Sequence, residues 1–201
     1  MYDLSLSPAI IQLMKLILIR HSKSFINPSI PIHLWGLSEE GVELAKKLQQ
    51  NTFIKELNVI YSSLQTKALE TAVLTTKNLG IPIRTDNRLT EITSFTRFFE
   101  SDKQKYTQSI KDFYTGKVDR LYDGESSKEA LKRFNNAVND IVINENDKEK
   151  IGIVSHGNIL AHFCTQFIEK DKHYLAEKIK QPDIAILDWI TKKFDIFFGD
   201  I

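Results

Sequence analysis

Two short aliphatic runs, each leading into a histidine, restrict what this chain can fold into. They are "KLILIRHS" at residues 15–22 and "KIGIVSHGN" at residues 150–158. Apolar runs of this length, bounded by charged or polar residues, are typical of strands that are buried on both faces of a sheet. The carboxyl ends of parallel strands meet at one edge of their sheet, where ligands bind. We therefore expect His21 and His156 to lie at the same edge.

Strand and helix signals alternate along the rest of the chain. "NVIYSS" and "IPIRT" indicate two more strands, and "DIAILDWITKKFDIFF" indicates a closing pair of strands with a turn near Lys192. Segments with helical periodicity and capping residues separate them, at residues 38–48, 64–80, 124–142 and 159–170. This alternation predicts a three-layer α/β/α sandwich, with a mostly parallel central sheet and helices on both faces.

The domain organisation follows from length and local composition. A chain of 201 residues suits a single domain spanning residues 1–201. Residues 1–13 are interpreted as an N-terminal extension, with Met14 as an alternative start. Residues 93–122 combine several aromatic residues with many polar ones, and we expect a helical insert that packs over the site.

Charge and cysteine content argue against several classes of partner. The net charge of +1 gives no reason to expect binding to nucleic acid or to an anionic membrane. The apolar segment at residues 9–19 is interrupted by Lys15 and is too short to span a bilayer. Cys164 is the single cysteine, so an internal disulfide is impossible, and a cytoplasmic location fits.

Five charged or titratable residues follow the predicted strands closely enough to converge. They are two histidines, two cations and one carboxylate: Arg20, His21, Lys67, Glu91 and His156. Each of them alone is more often a structural or solvated residue than a functional one. Cations and helix N-termini at one rim can neutralise a phosphoryl group, and a carboxyl group can supply a proton. Together they indicate a phosphate site with a proton donor.

The chain resembles the histidine phosphatase superfamily, also called phosphoglycerate mutase-like. The resemblance rests on six motifs in the family's order: "LIRHSKSFIN", "LSEEG", "VIYSSLQTKALETA", "DNRLTEI", "DGESSKEALKRF" and "IVSHGN". It covers most of the chain and implies the phosphoglycerate mutase-like form of the predicted sandwich.

The resemblance also implies a role for each matching residue. His21 is expected to be the nucleophile that becomes phosphohistidine, and Arg20 and Asn27 are expected to bind the phosphoryl oxygens. His156 is the expected second pocket histidine, which donates to the phosphoryl group. Glu91 stands where many members keep the proton donor.

Two positions depart from the family pattern. Ser22 follows the first histidine where glycine is common, and Lys67 replaces the usual arginine as a phosphate ligand. Lysine is a point charge on a flexible stem and cannot make the two-pronged contact of a guanidinium. The change at Lys67 therefore puts full catalytic strength in question more than it does the fold.

The remaining histidines are interpreted as peripheral. His162 is expected to be structural, His173 to be solvated, and His33 is a weak candidate for substrate contact. The spacing of His, Cys and Asp residues does not suggest a metal site, and we expect neither a metal nor another cofactor.

Three functions remain open at this point. The leading one is a metal-independent phosphatase that acts on a small phosphorylated metabolite. The second is a cofactor-dependent phosphoglycerate mutase with the same covalent step, although mutases of this family tend to be longer. The third is a family member that binds phosphorylated ligands without turning them over. The sequence does not identify the substrate or the oligomeric state.

Overall fold

The computed structural model describes residues 13–92, 103–121 and 124–199 and contains a six-stranded central sheet. The strands are β1 (Lys15–Arg20), β2 (Val59–Ser62), β3 (Ile83–Thr85), β4 (Lys150–Ser155), β5 (Asp183–Asp188) and β6 (Lys193–Ile196), in the spatial order β3-β2-β4-β1-β5-β6. Strands β1 to β4 are parallel to one another, whereas β5 is antiparallel to both of its neighbours. The prediction of a mostly parallel sheet is confirmed.

The register between β1 and β4 is what brings the two histidine segments together. Arg20 pairs with Ser155 at the carboxyl ends of the two strands. The amide of His21 then donates to the Ser155 carbonyl oxygen at 2.9 Å. His21 and His156 therefore leave the sheet side by side, as the sequence predicts.

Helices cover both faces of the sheet. On one face lie α1 (Glu39–Leu48), α2 (Thr52–Lys55) and α3 (Thr66–Thr76), and on the other lie α4 (Lys103–Tyr114), α5 (Ser127–Asn144), α6 (Gly157–Cys164) and α7 (Lys172–Lys178). The aliphatic run of β1 alternates between them. Ile17 and Ile19 pack with Ala68 and the α3 side, and Leu16 and Leu18 pack with the α5 side.

Helix caps account for several of the boundaries. Ser38 accepts a hydrogen bond from the amide of Gly41 at 3.0 Å and begins α1, as predicted. Ser126 and Glu129 form a capping box at the start of α5. Helix α3 is shorter than predicted, because Asn78 and Gly80 both have positive φ and end it in a turn. The sequence did not predict α2 and α7.

The described part of the predicted insert packs beside the start of α6. Residues 93–102 and 122 of the insert, and residues 1–12 of the predicted extension, lie outside the described residues. In α4, Phe113 and Tyr114 are buried, and the Tyr114 hydroxyl donates to the carbonyl oxygen of Asn158 at 3.0 Å. Helix α4 therefore contacts the turn that follows His156.

None of the helices within the described ranges is long and apolar enough to cross a membrane.

Candidate active site

The candidate site lies at the carboxyl ends of β1, β2 and β4. His21 and His156 are both buried, with their ring centroids 5.0 Å apart and their planes tilted by 60°. Imidazoles buried at this spacing cannot both carry a charge without strong repulsion, so their hydrogen-bond partners decide which nitrogen carries a proton.

One ring nitrogen of His21 is held by the backbone. Its Nδ1 lies 2.7 Å from the carbonyl oxygen of Ser22. A carbonyl oxygen only accepts hydrogen bonds, so Nδ1 carries the proton, and Nε2 of the neutral ring has a lone pair. Burial, together with the positive charges of Lys67 and Arg20, lowers the pKa of His21 to about 3, although the hydrogen bond to Ser22 acts in the opposite direction. At neutral pH, His21 is therefore an uncharged imidazole whose Nε2 is unprotonated.

Ser22 is itself fixed by two hydrogen bonds. Its amide donates to Oγ1 of Thr71 at 3.0 Å, and its hydroxyl donates to the carbonyl oxygen of Gly41 at 2.7 Å. A serine at this position thus ties the end of β1 to α3 and α1. The departure from glycine strengthens the support of His21 and does not remove it.

His156 is bound through Nε2, whereas His21 is bound through Nδ1. Its Nε2 lies 2.9 Å from Oγ of Ser63, at the end of β2. Its Nδ1 is buried and has no hydrogen-bond partner among the described residues. Burial and then the neighbouring His21, Lys67 and Arg20 lower the pKa of His156 well below its ordinary value.

Arg20 lies under the first turn of α6. One of its Nη1 protons is donated to the carbonyl oxygen of Ile179. A Cβ atom at Gly157 would lie 2.8 Å from Cζ of Arg20, so only glycine leaves room for the guanidinium there. Burial lowers the pKa of Arg20, while the nearby carboxylate of Glu91 raises it. The Nε of Arg20 is buried without a partner among the described residues.

Lys67 is buried beside the histidines and does not face water. It lies in the first turn of α3 with 5% of its surface exposed. Its Nζ donates to the carbonyl oxygen of Ile32 at 2.9 Å and lies 5.9 Å from the centroid of the Trp35 ring. The indole of Trp35 donates to the carbonyl oxygen of Asn27 at 2.8 Å, which holds the loop of residues 26–37 over the lysine.

Glu91 caps helix α6. Its Oε1 accepts from the amides of Ile92 and Ile159, each at 2.9 Å. Its Oε2 accepts from both the amide and the side-chain Nδ2 of Asn158, each at 3.1 Å. The carboxylate thus binds the N-terminus of the helix that follows His156, a structural role that the sequence did not reveal.

Asn27 is not joined to the histidines. Its Oδ1 accepts from the amide of Ser29 at 3.0 Å, and its backbone carbonyl accepts from Trp35. Its contacts therefore lie within its own loop, and its assignment as a phosphate ligand stays a prediction.

The peripheral histidines occupy other surroundings. His162 is buried on α6, with its Nε2 2.9 Å from Oγ of Ser127. His33 is exposed in the loop, and the side chain of His173 lies outside the described residues. Within the described ranges, no group of three or more His, Cys, Asp and Glu side chains could hold a metal ion.

Three residues that shape the site were not predicted from the sequence. Ser63 contacts His156, Trp35 lies over Lys67, and Gly157 makes room for Arg20. The second serine of "YSS", directly after β2, is the sequence signal that could have revealed the contact with His156.

Most of the chain matches the model of one protein family. The model of the histidine phosphatase superfamily (branch 1) matches residues 16–197. A comparison with curated proteins gives no significant match.

Several solved structures share the fold over nearly the whole chain. YhfR of Bacillus stearothermophilus is 26% identical, with 94% of this chain and 98% of that chain covered and a TM-score of 0.76. The phosphoserine phosphatase of Entamoeba histolytica, in a mutant form bound to phosphoserine, is 20% identical, with coverages of 93% and 98% and a TM-score of 0.74. A mycobacterial glucosyl-3-phosphoglycerate phosphatase in complex with VO3 is 17% identical, with coverages of 92% and 99% and a TM-score of 0.73.

The buried neutral state of His21 predicts a loss of stability in mild acid. The pKa of His21 is about 3 in the folded protein and 6.5 in its ordinary state, so between these values the unfolded chain binds a proton that the folded protein excludes. The contribution of the neutral His21 to the free energy of unfolding is complete above pH 6.5, and it is lost as the pH falls towards 3. Between pH 7 and pH 5, the free energy of unfolding should fall by about 2 kcal/mol more in the wild type than in His21→Gln. Urea unfolding at the two pH values measures it, and equal losses in both proteins would contradict the buried neutral imidazole.

The charge of Lys67 is expected to act on His21 directly. Lys67→Met keeps an apolar stem beside Trp35 but removes the positive charge, so the pKa of His21 should rise. NMR titration of the histidine ring measures this shift. Lys46→Met is the matched control, because Lys46 lies on the exposed surface of α1 and pairs with Glu43. An unchanged pKa in Lys67→Met would show that the ammonium does not reach the site.

Proposed function

Because the chain belongs to the histidine phosphatase superfamily, we propose that it hydrolyses a small phosphomonoester, without a metal ion, through a phosphohistidine on His21. The observation that carries this proposal is the hydrogen bond between Nδ1 of His21 and the carbonyl oxygen of Ser22. It leaves Nε2 with an available lone pair in a neutral ring, which is the state that a nucleophilic histidine needs.

The charges around His21 support a phosphoryl group as the target. A phosphomonoester is a dianion near neutral pH, and it gains no counter-charge from neutral imidazoles. Arg20 and Lys67 supply two positive charges, both largely removed from water. Fixed cations in a site that excludes water stabilise the developing charge of phosphoryl transfer more strongly than cations in solvent.

The reaction is written as two displacements at phosphorus. In the first, the Nε2 lone pair forms a bond to phosphorus as the bond to the leaving oxygen breaks, and that oxygen takes a proton from a general acid. In the second, water attacks phosphorus and gives a proton to the same group, and the P–N bond breaks to release inorganic phosphate. His21 returns to its original neutral form.

Glu91 is the proposed general acid and base. Its position supports two roles, one catalytic and one as the cap of α6. Its carboxylate lies close enough to Arg20 to raise that residue's pKa, which supports a role beside the proposed phosphoryl site. It also caps α6 through the amides of Asn158 and Ile159. As the acid, it must exchange a proton at one oxygen while the other oxygen retains its cap contacts.

The substrate is proposed to be a small phosphorylated metabolite. Trp35 and the loop of residues 26–37 cover Lys67 from one side, and α4 packs beside the turn after His156. Both limit the room for the leaving group. The single buried Cys164 fits a reducing compartment, and we propose the cytoplasm.

Trapping the covalent intermediate tests the function. Wild-type protein mixed with phosphorylated metabolites, sugars and nucleotides should release phosphate, and on rapid quenching it should carry phosphate that is labile in acid and stable in base. His21→Ala should lose this label and at least about 1,000-fold in turnover, the scale for removing a catalytic nucleophile. Lys46→Met, which changes an exposed lysine of α1, should retain both.

Other outcomes would replace the proposal. Interconversion of 3- and 2-phosphoglycerate without phosphate release would indicate a mutase. Tight binding of substrates without any label would indicate a non-catalytic binder. Loss of turnover with a chelator, and recovery with a divalent ion, would contradict the metal-free mechanism.

The catalytic role and the capping role of Glu91 predict different effects of Glu91→Gln. If Glu91 is the acid, turnover falls strongly for alkyl phosphates and less for p-nitrophenyl phosphate, because nitrophenolate leaves without a proton. Loss of the cap should also lower the free energy of unfolding by about 1 kcal/mol, the scale for a helix cap. Rates on both substrates and urea unfolding separate the effects. Equal losses of rate on both substrates would show that Glu91 acts only as a cap.

A further inference from the structure

The hydroxyl of Ser63 is the sole described contact of the ring nitrogens of His156. Ser63 follows the last residue of β2, and its amide donates to the carbonyl oxygen of Val154 at 3.0 Å. This pairing holds the serine level with the end of β4, where its Oγ lies 2.9 Å from Nε2 of His156. Both side chains are buried, so water does not compete for this hydrogen bond.

The other hydrogen-bond partner of Ser63 determines whether its hydroxyl donates to His156 or accepts from it. Among the described residues, the partners of its Oγ are the amide of Gln65, at 3.2 Å, and Nε2 of His156. The amide of Gln65 can only donate, so it occupies a lone pair of the hydroxyl. The hydroxyl proton then has one acceptor within reach, which is Nε2 of His156. If Nε2 carried a proton instead, the buried hydroxyl proton would have no acceptor, which is unfavourable for a donor removed from water.

We propose that Ser63 is a positioning residue that fixes His156 as the tautomer with its proton on Nδ1, so that this N–H is presented to the phosphoryl group. The tautomer follows from the hydrogen bonds of the free protein. Its use in catalysis rests on the proposed function.

The assignment explains how two similar imidazoles take different roles. His21 and His156 both carry the proton on Nδ1. In His21 the Nδ1–H is bound to the backbone of Ser22, which leaves the Nε2 lone pair for phosphorus. In His156 the lone pair of Nε2 is occupied by Ser63, which leaves Nδ1–H as a donor. The nitrogen that the protein holds decides whether each ring attacks or donates.

The opposite tautomer of His156, with its proton on Nε2, would oppose the binding of a phosphoryl group. Its Nδ1 would then present a lone pair to phosphoryl oxygens, which are themselves acceptors. Removing the Ser63 hydroxyl should let this reversed tautomer become populated. The turnover number should then fall more than substrate affinity, because the donor acts on charge that develops in the transition state.

Nitrogen NMR of the full chain, labelled in histidine, tests the tautomer without reference to activity. In the wild type, His156 should show a protonated Nδ1 and an unprotonated Nε2. In Ser63→Ala, the two nitrogens should move towards intermediate shifts, and kcat should fall by about 10- to 100-fold, the range seen for partners that orient a functional histidine. Ser63→Thr keeps a hydroxyl and should restore both the shifts and most of the rate.

Ser62→Ala is the matched control. Ser62 is an equally buried serine and the last residue of β2, but its hydroxyl donates to the carbonyl oxygen of Ser63 at 2.9 Å. The Ser62→Ala variant should leave the nitrogen chemical shifts of His156 and kcat unchanged.

Three results have distinct meanings. A protonated Nε2 in the wild type would overturn the proposal whatever the activity. Unchanged shifts and rate in Ser63→Ala would overturn it as well. A protonated Nδ1 in a protein with no phosphatase activity would support the tautomer and refute the proposed function.

Discussion

The parallel pairing of β1 with β4 is the contact on which the candidate site depends. It joins segments that are 135 residues apart at Lys15 and Lys150, and its register puts Arg20 opposite Ser155. Both histidines follow directly. A shift of one residue in this register would turn alternate side chains of β1 to the opposite face and separate the rings. The aliphatic residues of β1 prevent such a shift, because they are buried in two different cores.

The site concentrates positive charge that the fold only partly compensates. Arg20 and Lys67 are largely buried, and each donates to a backbone carbonyl, of Ile179 and Ile32 respectively. Such contacts satisfy hydrogen bonds but leave net charge in a region of low dielectric. Glu91 offsets part of it from beside Arg20. Burial, and then these positive charges, keep both histidines neutral.

Some parts of the fold and of the candidate site could be predicted from the sequence, and others could not. Arg20, His21 and His156 were predictable, because short buried strands of one parallel sheet must end at a common edge. The caps Ser38 and Ser126 were predictable, because capping is a local interaction. Helices α2 and α7 were missed, since short helices are stabilised by packing more than by their own sequence. The cap formed by Glu91 on α6 was missed for a related reason: it joins residues 67 positions apart.

The sequence by itself determined the order of the strands and the longer helices, the family resemblance and the residue types that a phosphoryl site needs. Those features depend on local periodicity and on motifs of a few residues. Only the tertiary structure decided how the charges are arranged: that Lys67 is buried under Trp35, that Asn27 bonds within its own loop, and that Ser63 contacts His156. These outcomes depend on contacts between distant segments. A hydrogen bond at such a contact requires placement within a few tenths of an ångström, which packing of the whole sheet and its helices imposes.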